Sequence, residues 1–325
     1  MSFPIFRRPG AIAFLDDDSA YLDMLGMVLP ERWHVELFMR SAHCINHIQQ
    51  EPPKWEADAW RQQEIVDNWS NGAPLIPQIL QYWADSVERY AFTQVCVVDY
   101  SMPGMDGLQV LAELMDWPGA RVLLTGQADE HVAVTAFNRA LIDQFIPKQI
   151  ANVSGHLIDA VQALLDRPHP RHEQIWRGTL NASQCALLRL PSVSAGLATA
   201  LSGRWVEHVV IGDPFGILGL DANGQAGWLQ LEPASGLAEL AELAESQSLP
   251  ASSTKAIREG ELLVDLELLQ CLGNAGAPRL HPAFSIGLDA ALTGAFFAID
   301  STDVASVIPA YQDWLDNLAA RNVRD

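Results

Sequence analysis

Short apolar runs that stop abruptly at charged or polar residues dominate the first half of the chain. Ala11 to Leu15 (AIAFL) is followed at once by three aspartates, which predicts a buried parallel strand with an acidic end. Tyr21 to Leu29 has apolar residues at helical spacing and stops at Pro30. His34 to Phe38 reads as a second strand. Three more follow: Gln94 to Val98 ending at Asp99, Arg121 to Leu124 ending at Thr125, and Gln144 to Ile146 ending near Lys148. Helical patterns such as Glu130 to Ala140 lie between them. Strands alternating with helices predict an α/β fold with a doubly wound parallel sheet.

Between the second and third strands the pattern changes. Ala42 to Phe92 holds Trp55, Trp60, Trp69 and Trp83 among polar residues, broken by Pro52, Pro53, Pro74 and Pro77. It reads as two or three helices. Ala151 to Leu165 is helical again, and Arg167-Pro-His-Pro-Arg171 cannot continue that helix. The expected organisation is therefore a domain over 1–150 with a helical insertion at about 42–92, a helical and proline-rich linker over 151–171, and a second domain over 172–325. The second domain reads as α+β. Trp205 to Leu220 and Gly227 to Leu231 are strand-like, joined through Asp221-Ala-Asn-Gly224, a hairpin signal. Ser235 to Ser246 and Tyr311 to Arg321 look helical, and Ala295 to Ile299 looks like a buried strand.

Charge narrows the functional classes. Of 325 residues, 40 are Asp or Glu and 20 are Lys or Arg, a formal net charge of −20. Such a field repels phosphate backbones and argues against nucleic-acid binding. Residues 167–325 hold 10 Lys/Arg against 18 Asp/Glu, and no segment reads as a basic recognition helix. The N-terminus has no signal-peptide pattern and no run of about 18 apolar residues occurs, so a cytoplasmic protein with no membrane span is expected. Cys44, Cys96, Cys185 and Cys271 form no CxxC pair and are read as inert thiols. His43 and His47, and His169 and His172, have spacings that a metal could use, but no further ligands accompany them. The stretch Ile211 to Ile217 is glycine-rich but lacks nucleotide-fingerprint spacing, so it is read as a turn. No output enzyme motif is present.

The candidate chemistry lies where the strands end. In an open parallel sheet, ligands gather at the carboxyl ends of the strands. Those ends carry Asp16, Asp17, Asp18, Asp99, Thr125 and Lys148. Converging carboxylates repel one another, a divalent cation relieves this, and all-oxygen ligation suits Mg2+. An ammonium and a hydroxyl beside them suit anionic oxygens. The cluster is built to hold a metal and a phosphoryl group beside a carboxylate.

The segments FLDDD, VVDYSMPGMDG, LLTG and FIPK, in this order and each at a strand end, resemble the signatures of the CheY-like receiver domain of two-component response regulators. The resemblance covers about residues 9–150 without the insertion. It implies a five-stranded receiver sheet and a phosphoprotein. Asp99 would be the phosphoacceptor, charged by a sensor histidine kinase or a phosphotransfer protein. Asp16 and Asp17 would place Mg2+ together with Asp99 and the backbone carbonyl of Ser101. Lys148 would pair with the phosphoryl group, and Thr125 and Phe145 would form the switch. Homodimerisation of the phosphorylated form is expected, with signalling through protein contacts. The stretch LLTGQADEHVAVTAFNRALIDQFIPK also resembles receivers of α-hydroxyketone quorum-sensing systems. Asp18 is read as a helix N-cap and Asp106 as a turn support.

Two departures from the family pattern stand out. Gln149 follows Lys148 where the family has proline. And 81 residues separate Asp17 from Asp99, where two helices, a strand and their loops need roughly 45. The surplus is either a scaffold that replaces and covers the usual second helix or a partner-binding surface, because tryptophan serves both.

Overall fold

The computed structural model describes residues 3–126, 130–300, 306–318 and 323–324. In chain order the elements are β1 (Phe6–Arg7), β2 (Ala11–Leu15), α1 (Ser19–Val28), β3 (His34–Phe38), α2 (Ser41–Ile48), α3 (Pro52–Ser70), α4 (Leu75–Asp85), β4 (Thr93–Asp99), α5 (Gly107–Glu113), β5 (Ala120–Thr125), α6 (Glu130–Asn138), β6 (Gln144–Pro147) and α7 (Val153–Leu165). They continue with α8 (Pro170–Arg177), α9 (Ala182–Arg189), α10 (Pro191–Leu201), β7 (Glu207–Gly212), β8 (Phe215–Leu220), β9 (Ala226–Pro233), α11 (Leu237–Ser246), α12 (Ala251–Arg258), β10 (Leu262–Val264), α13 (Leu266–Cys271), β11 (Leu280–Pro282), β12 (Phe284–Ile286), β13 (Leu292–Ala298), α14 (Tyr311–Asp316) and β14 (Val323–Arg324).

These elements form two compact units. One comprises Pro9–Asp58, Glu88–Arg167 and Trp314–Asp325. Its sheet runs β14-β3-β2-β4-β5-β6 and is parallel throughout. Five of its strands are the expected ones. The sixth, β14, comes from the end of the chain and sets Val323 beside Leu37. Alternate residues of a strand face opposite sides, and both sides are covered here. Ile12, Phe14, Val95 and Val97 pack with Leu22 and Leu25 of α1 and with Leu157 and Val161 of α7. Ala13, Leu15, Cys96 and Val98 pack with Cys44 and Ile48 of α2 and with Val110 and Leu111 of α5. Each large aliphatic side chain buried in this way contributes roughly 1.5–3 kcal/mol. That double burial is why AIAFL reads as a continuous apolar run rather than an alternating one.

The other unit comprises Met1–Arg8, Ala59–Val87 and Pro168–Asp313. It is α+β, as expected. Its antiparallel sheet runs β1-β7-β8-β9-β13-β12, and a second small sheet pairs β10 with β11. The turn joining β8 to β9 contains Gly224 at a φ of 79°, a left-handed conformation that glycine adopts without a Cβ clash. The Asp221 carboxylate accepts from the backbone N–H groups of Asn223 and Gln225 and closes that turn. The glycine-rich stretch Ile211 to Ile217 is the β7–β8 hairpin, turning at Asp213-Pro214. Of the helix expected over Tyr311 to Arg321, α14 covers the start, and 319–322 lie outside the described residues.

The units divide the chain differently from the expected boundaries. The segment expected as linker, 151–171, contains α7, whose Leu157 and Val161 are fully buried in the parallel-sheet unit. An apolar pair at i, i+4 on a helix needs a sheet to cover, and this one covers β2 and β4. The expected insertion, about 42–92, is shared. Its α2 covers the parallel sheet. Ile76, Ile79, Leu80 and Trp83 of α4 enter the core of the antiparallel-sheet unit, and Trp69 packs against it. Phe6 and Arg7 are also taken into that unit, pairing with Val209 and His208. So part of the stretch is built into the cores of both units. Of the four tryptophans, Trp60 alone stands exposed, and Trp55 packs on Phe92 at 5.1 Å.

Glu51 anchors the start of this stretch. It is 4% exposed. Its carboxylate accepts from the Thr93 backbone N–H at 3.0 Å and hydroxyl at 2.5 Å, and from the indoles of Trp55 and Trp117 at 3.2 and 3.3 Å. This ties α3, the first residue of β4 and the segment after α5 to one point.

Candidate functional site

The parallel register places the polar residues together. Leu15 lies opposite Val98, Asp99 opposite Leu124, and Thr125 opposite Pro147. The carboxyl ends of β2, β4, β5 and β6 therefore present Asp16, Asp17, Asp99, Thr125 and Lys148 on one rim. Asp16, Asp99 and Thr125 are buried and Asp17 is exposed. One carboxylate oxygen from each of Asp16, Asp17 and Asp99 lies within 4.8 Å of the others.

Lys148 answers this concentration of negative charge. Its Nζ lies 2.5 Å from Asp16 Oδ2 and 2.8 Å from Asp99 Oδ1. It also sits 4.3 Å from the centroid of the Tyr21 ring. The remaining oxygens are held by backbone. Asp16 Oδ1 accepts from the Asp18 N–H at 3.0 Å, and Asp99 Oδ2 accepts from the Ser101 N–H at 2.8 Å. Burial pushes the Asp16 carboxyl above its ordinary value, against the pull of the Lys148 hydrogen bond. For Lys148, burial acts to lower the pKa, but the hydrogen bonds to Asp16 and Asp99 prevail and hold it above its ordinary value. The ammonium is thus firmly protonated. Burial also keeps the Tyr21 phenol protonated to higher pH than usual.

The segment after Asp99 is built to leave its carboxylate facing the rim. Gly104 takes a φ of 82°, and the Gly107 N–H closes the turn on the Tyr100 carbonyl at 3.0 Å. A Cβ at Gly107 would lie 2.3 Å from the Asp99 carbonyl oxygen, so only glycine fits. Asp106 caps α5 in a capping box with Gln109, and Asp18 caps α1 through the N–H groups of Ala20 and Tyr21. Both do the supporting work expected of them. Lys148 N–H bonds the Thr125 carbonyl at 2.6 Å. Gln149 donates its amide to the Gly126 carbonyl, so a side-chain bond links the loops after β5 and β6. Phe145 is half-buried against the core face that holds Leu123.

The donor set fits a divalent cation. Three hard carboxylates balanced by one ammonium leave negative charge in excess, and oxygen donors suit Mg2+ over softer metals. Asp16, Asp17 and Asp99 are the residues that would hold it. The histidine pairs noted in the sequence form no comparable set. His43 is exposed, while His47 Nε2 contacts Glu36 at 2.8 Å. His169 and His172 share a hydrogen bond between their Nδ1 atoms at 3.0 Å, and His172 stacks on Phe6. Two contributors escaped the sequence reading, Tyr21 and Glu51. The place of Tyr21 in the first turn of α1, directly after the acidic strand end, was the available signal.

The structure matches the response regulator LqsR of Legionella pneumophila over 98% of each chain, with a TM-score of 0.67 and 22% identity. The fold is that of a response regulator. The parallel-sheet unit has the receiver fold, and the antiparallel-sheet unit is covered by the same match. A CheY-like receiver domain protein from Methanospirillum hungatei aligns with 49% of this chain and 94% of its own, at 19% identity and a TM-score of 0.31. The beryllofluoride-activated receiver domain of DrrB aligns with 49% of this chain and 98% of its own, at 18% identity and 0.32. No protein-family model and no curated protein sequence matches the chain. Among the described residues no helix is long and apolar enough to cross a membrane.

The antiparallel-sheet unit contains a cavity of about 820 Å3. Asn181, Gln184, Asp213, Glu232, Glu239 and Glu267 contribute to its lining. Burial pushes the Glu232 carboxyl up to about 7, although Gln230 donates to it at 2.9 Å.

Proposed function

We propose that the protein is a two-component response regulator that accepts a phosphoryl group on Asp99. The observation that supports this most is the bridge of Lys148 between Asp16 and Asp99, beside a third carboxylate. In the reaction an Asp99 oxygen attacks phosphorus of a phosphohistidine on a sensor kinase or phosphotransfer protein. The P–N bond breaks, the imidazole keeps the electron pair and takes up a proton, and an acyl phosphate forms. Mg2+, when bound, offsets charge on the phosphoryl oxygens. Lys148, already within reach, pairs with the new dianion. The Thr125 hydroxyl donates to it, and Phe145 turns inward with the switch.

The output then acts through protein contacts, including a phosphorylation-dependent homodimer, and not through DNA. The net charge of −20 supports this, since it disfavours a phosphate backbone. The resemblance of the stretch from Leu123 to Lys148 supports a place in α-hydroxyketone quorum sensing. The cavity beside Glu232 favours a second reading, in which the output unit is an enzyme or binds a small molecule. A compound that raises the melting temperature of the full chain, with the effect lost in Gln184→Ala, would decide for that reading.

The test is incubation of the purified protein with Mg2+ and acetyl phosphate beside Asp99→Asn. Intact mass and oligomeric state are read together. One phosphoryl group on the wild type alone, with a shift from monomer to dimer, is expected. No gain from acetyl phosphate or from a cognate kinase would recast the receiver as a phosphorylation-independent binding module.

A further inference from the structure

Lys148 is held from a third side that phosphoryl chemistry does not require. The face of the Tyr21 ring lies 4.3 Å from its Nζ. A half-buried ring at this distance attracts an ammonium through its quadrupole. It also limits the water that can solvate Nζ, because Lys148 is only 21% exposed. Asp18, as N-cap, fixes the first turn of α1 by accepting from the Tyr21 N–H at 3.2 Å. The ring is therefore placed by the same acidic segment that forms the site.

The ammonium occupies the electrostatic position that a divalent cation would need. It contacts Asp16 and Asp99, two of the three carboxylates that lie within 4.8 Å of one another. Like charges cannot share these oxygens at low cost. Whatever stabilises the ammonium in this bridge weakens the metal in competition with it.

We infer that Tyr21 is a positioning residue that sets the magnesium affinity of the receiver, by holding Lys148 across Asp16 and Asp99 in the metal-free state. This rests on the reading of the site as a phosphoryl-transfer centre. Loss of the ring frees the ammonium and tightens metal binding. A cation–π contact at a partly exposed site corresponds to a change of about 2- to 5-fold.

The test is calorimetric titration of the full chain with MgCl2. The variants are Tyr21→Leu, Tyr21→Phe, Lys148→Gln and the double variant Tyr21→Leu/Lys148→Gln. Tyr21→Leu is expected to lower the dissociation constant by about 2- to 5-fold. Tyr21→Phe keeps the ring and is expected to stay with the wild type. In the Lys148→Gln background, Tyr21→Leu is expected to have no further effect, which a merely structural role could not produce. An unchanged constant in Tyr21→Leu overturns the inference, as does a shift that persists without Lys148. Absence of magnesium binding in the wild type itself would overturn the metal-site reading instead, before any variant is compared.

Discussion

Removing the Glu51 carboxylate tests whether one buried group ties the inserted segment to the receiver. Glu51→Ala strands four donors: the Thr93 N–H and hydroxyl and the indoles of Trp55 and Trp117. Bonds to a charged acceptor are worth about 1.5–3 kcal/mol each when cut singly. The carboxylate itself is costly to bury, as its raised pKa shows, so the four do not sum. Water entering the vacated space recovers a further part. A net loss of about 2–4 kcal/mol remains, a large share of a typical domain's stability. Glu51→Gln keeps one acceptor oxygen but turns an amide N–H2 toward the donors, and is expected to lose about half as much. The assay is urea denaturation followed by hydrogen exchange. Because the chain forms two units, the loss is expected in peptides of the parallel-sheet unit, Thr93 included, with the antiparallel-sheet unit protected as before. A loss below about 0.5 kcal/mol, the level of an ordinary surface change, would refute the reasoning.

Two further outcomes follow from single groups. Gly107→Ala forces the segment after Asp99 to move, because the new Cβ meets the Asp99 carbonyl at 2.3 Å; a loss of about 1–3 kcal/mol in denaturation and a slower phosphorylation rate are expected. Glu232 has its pKa raised by burial from 4.5 to about 7. The folded state therefore binds the proton more tightly than the unfolded chain, and stability from this group is present below 4.5 and lost as pH rises through 7. Glu232→Gln does not titrate and is expected to be more stable than wild type by about 1–3 kcal/mol at alkaline pH, with the gap closing near the unfolded value. A constant gap across pH would count against Glu232 as the titrating group.

The receiver was legible in the sequence because its strands are buried on both faces and end in chemistry. AIAFL before Asp16 and QVCVV before Asp99 announce both facts at once. The caps Asp18 and Asp106 were legible for a similar reason, since each acts on residues two or three positions away. What escaped was long-range. Phe6 and Arg7 pair with Val209 and His208 some two hundred positions on. Val323 pairs with Leu37. Nothing local marks a two-residue strand whose partner lies in another part of the chain. The tryptophan-bearing stretch was ambiguous because an indole suits a core and an interface equally, and only Trp60 of the four is exposed. Tyr21 looked like an ordinary apolar position of α1, and its place over Lys148 depends on β6, more than a hundred residues away.

The most direct measurement locates the phosphoryl group. Protein treated with Mg2+ and acetyl phosphate is reduced with borohydride, which converts an aspartyl phosphate to homoserine, and its peptides are sequenced by mass spectrometry. The account predicts homoserine at position 99 and at no other aspartate, with none in Lys148→Ala at short times. Homoserine at Asp16 or Asp17, or none at any position after exposure to a cognate kinase as well, would contradict it.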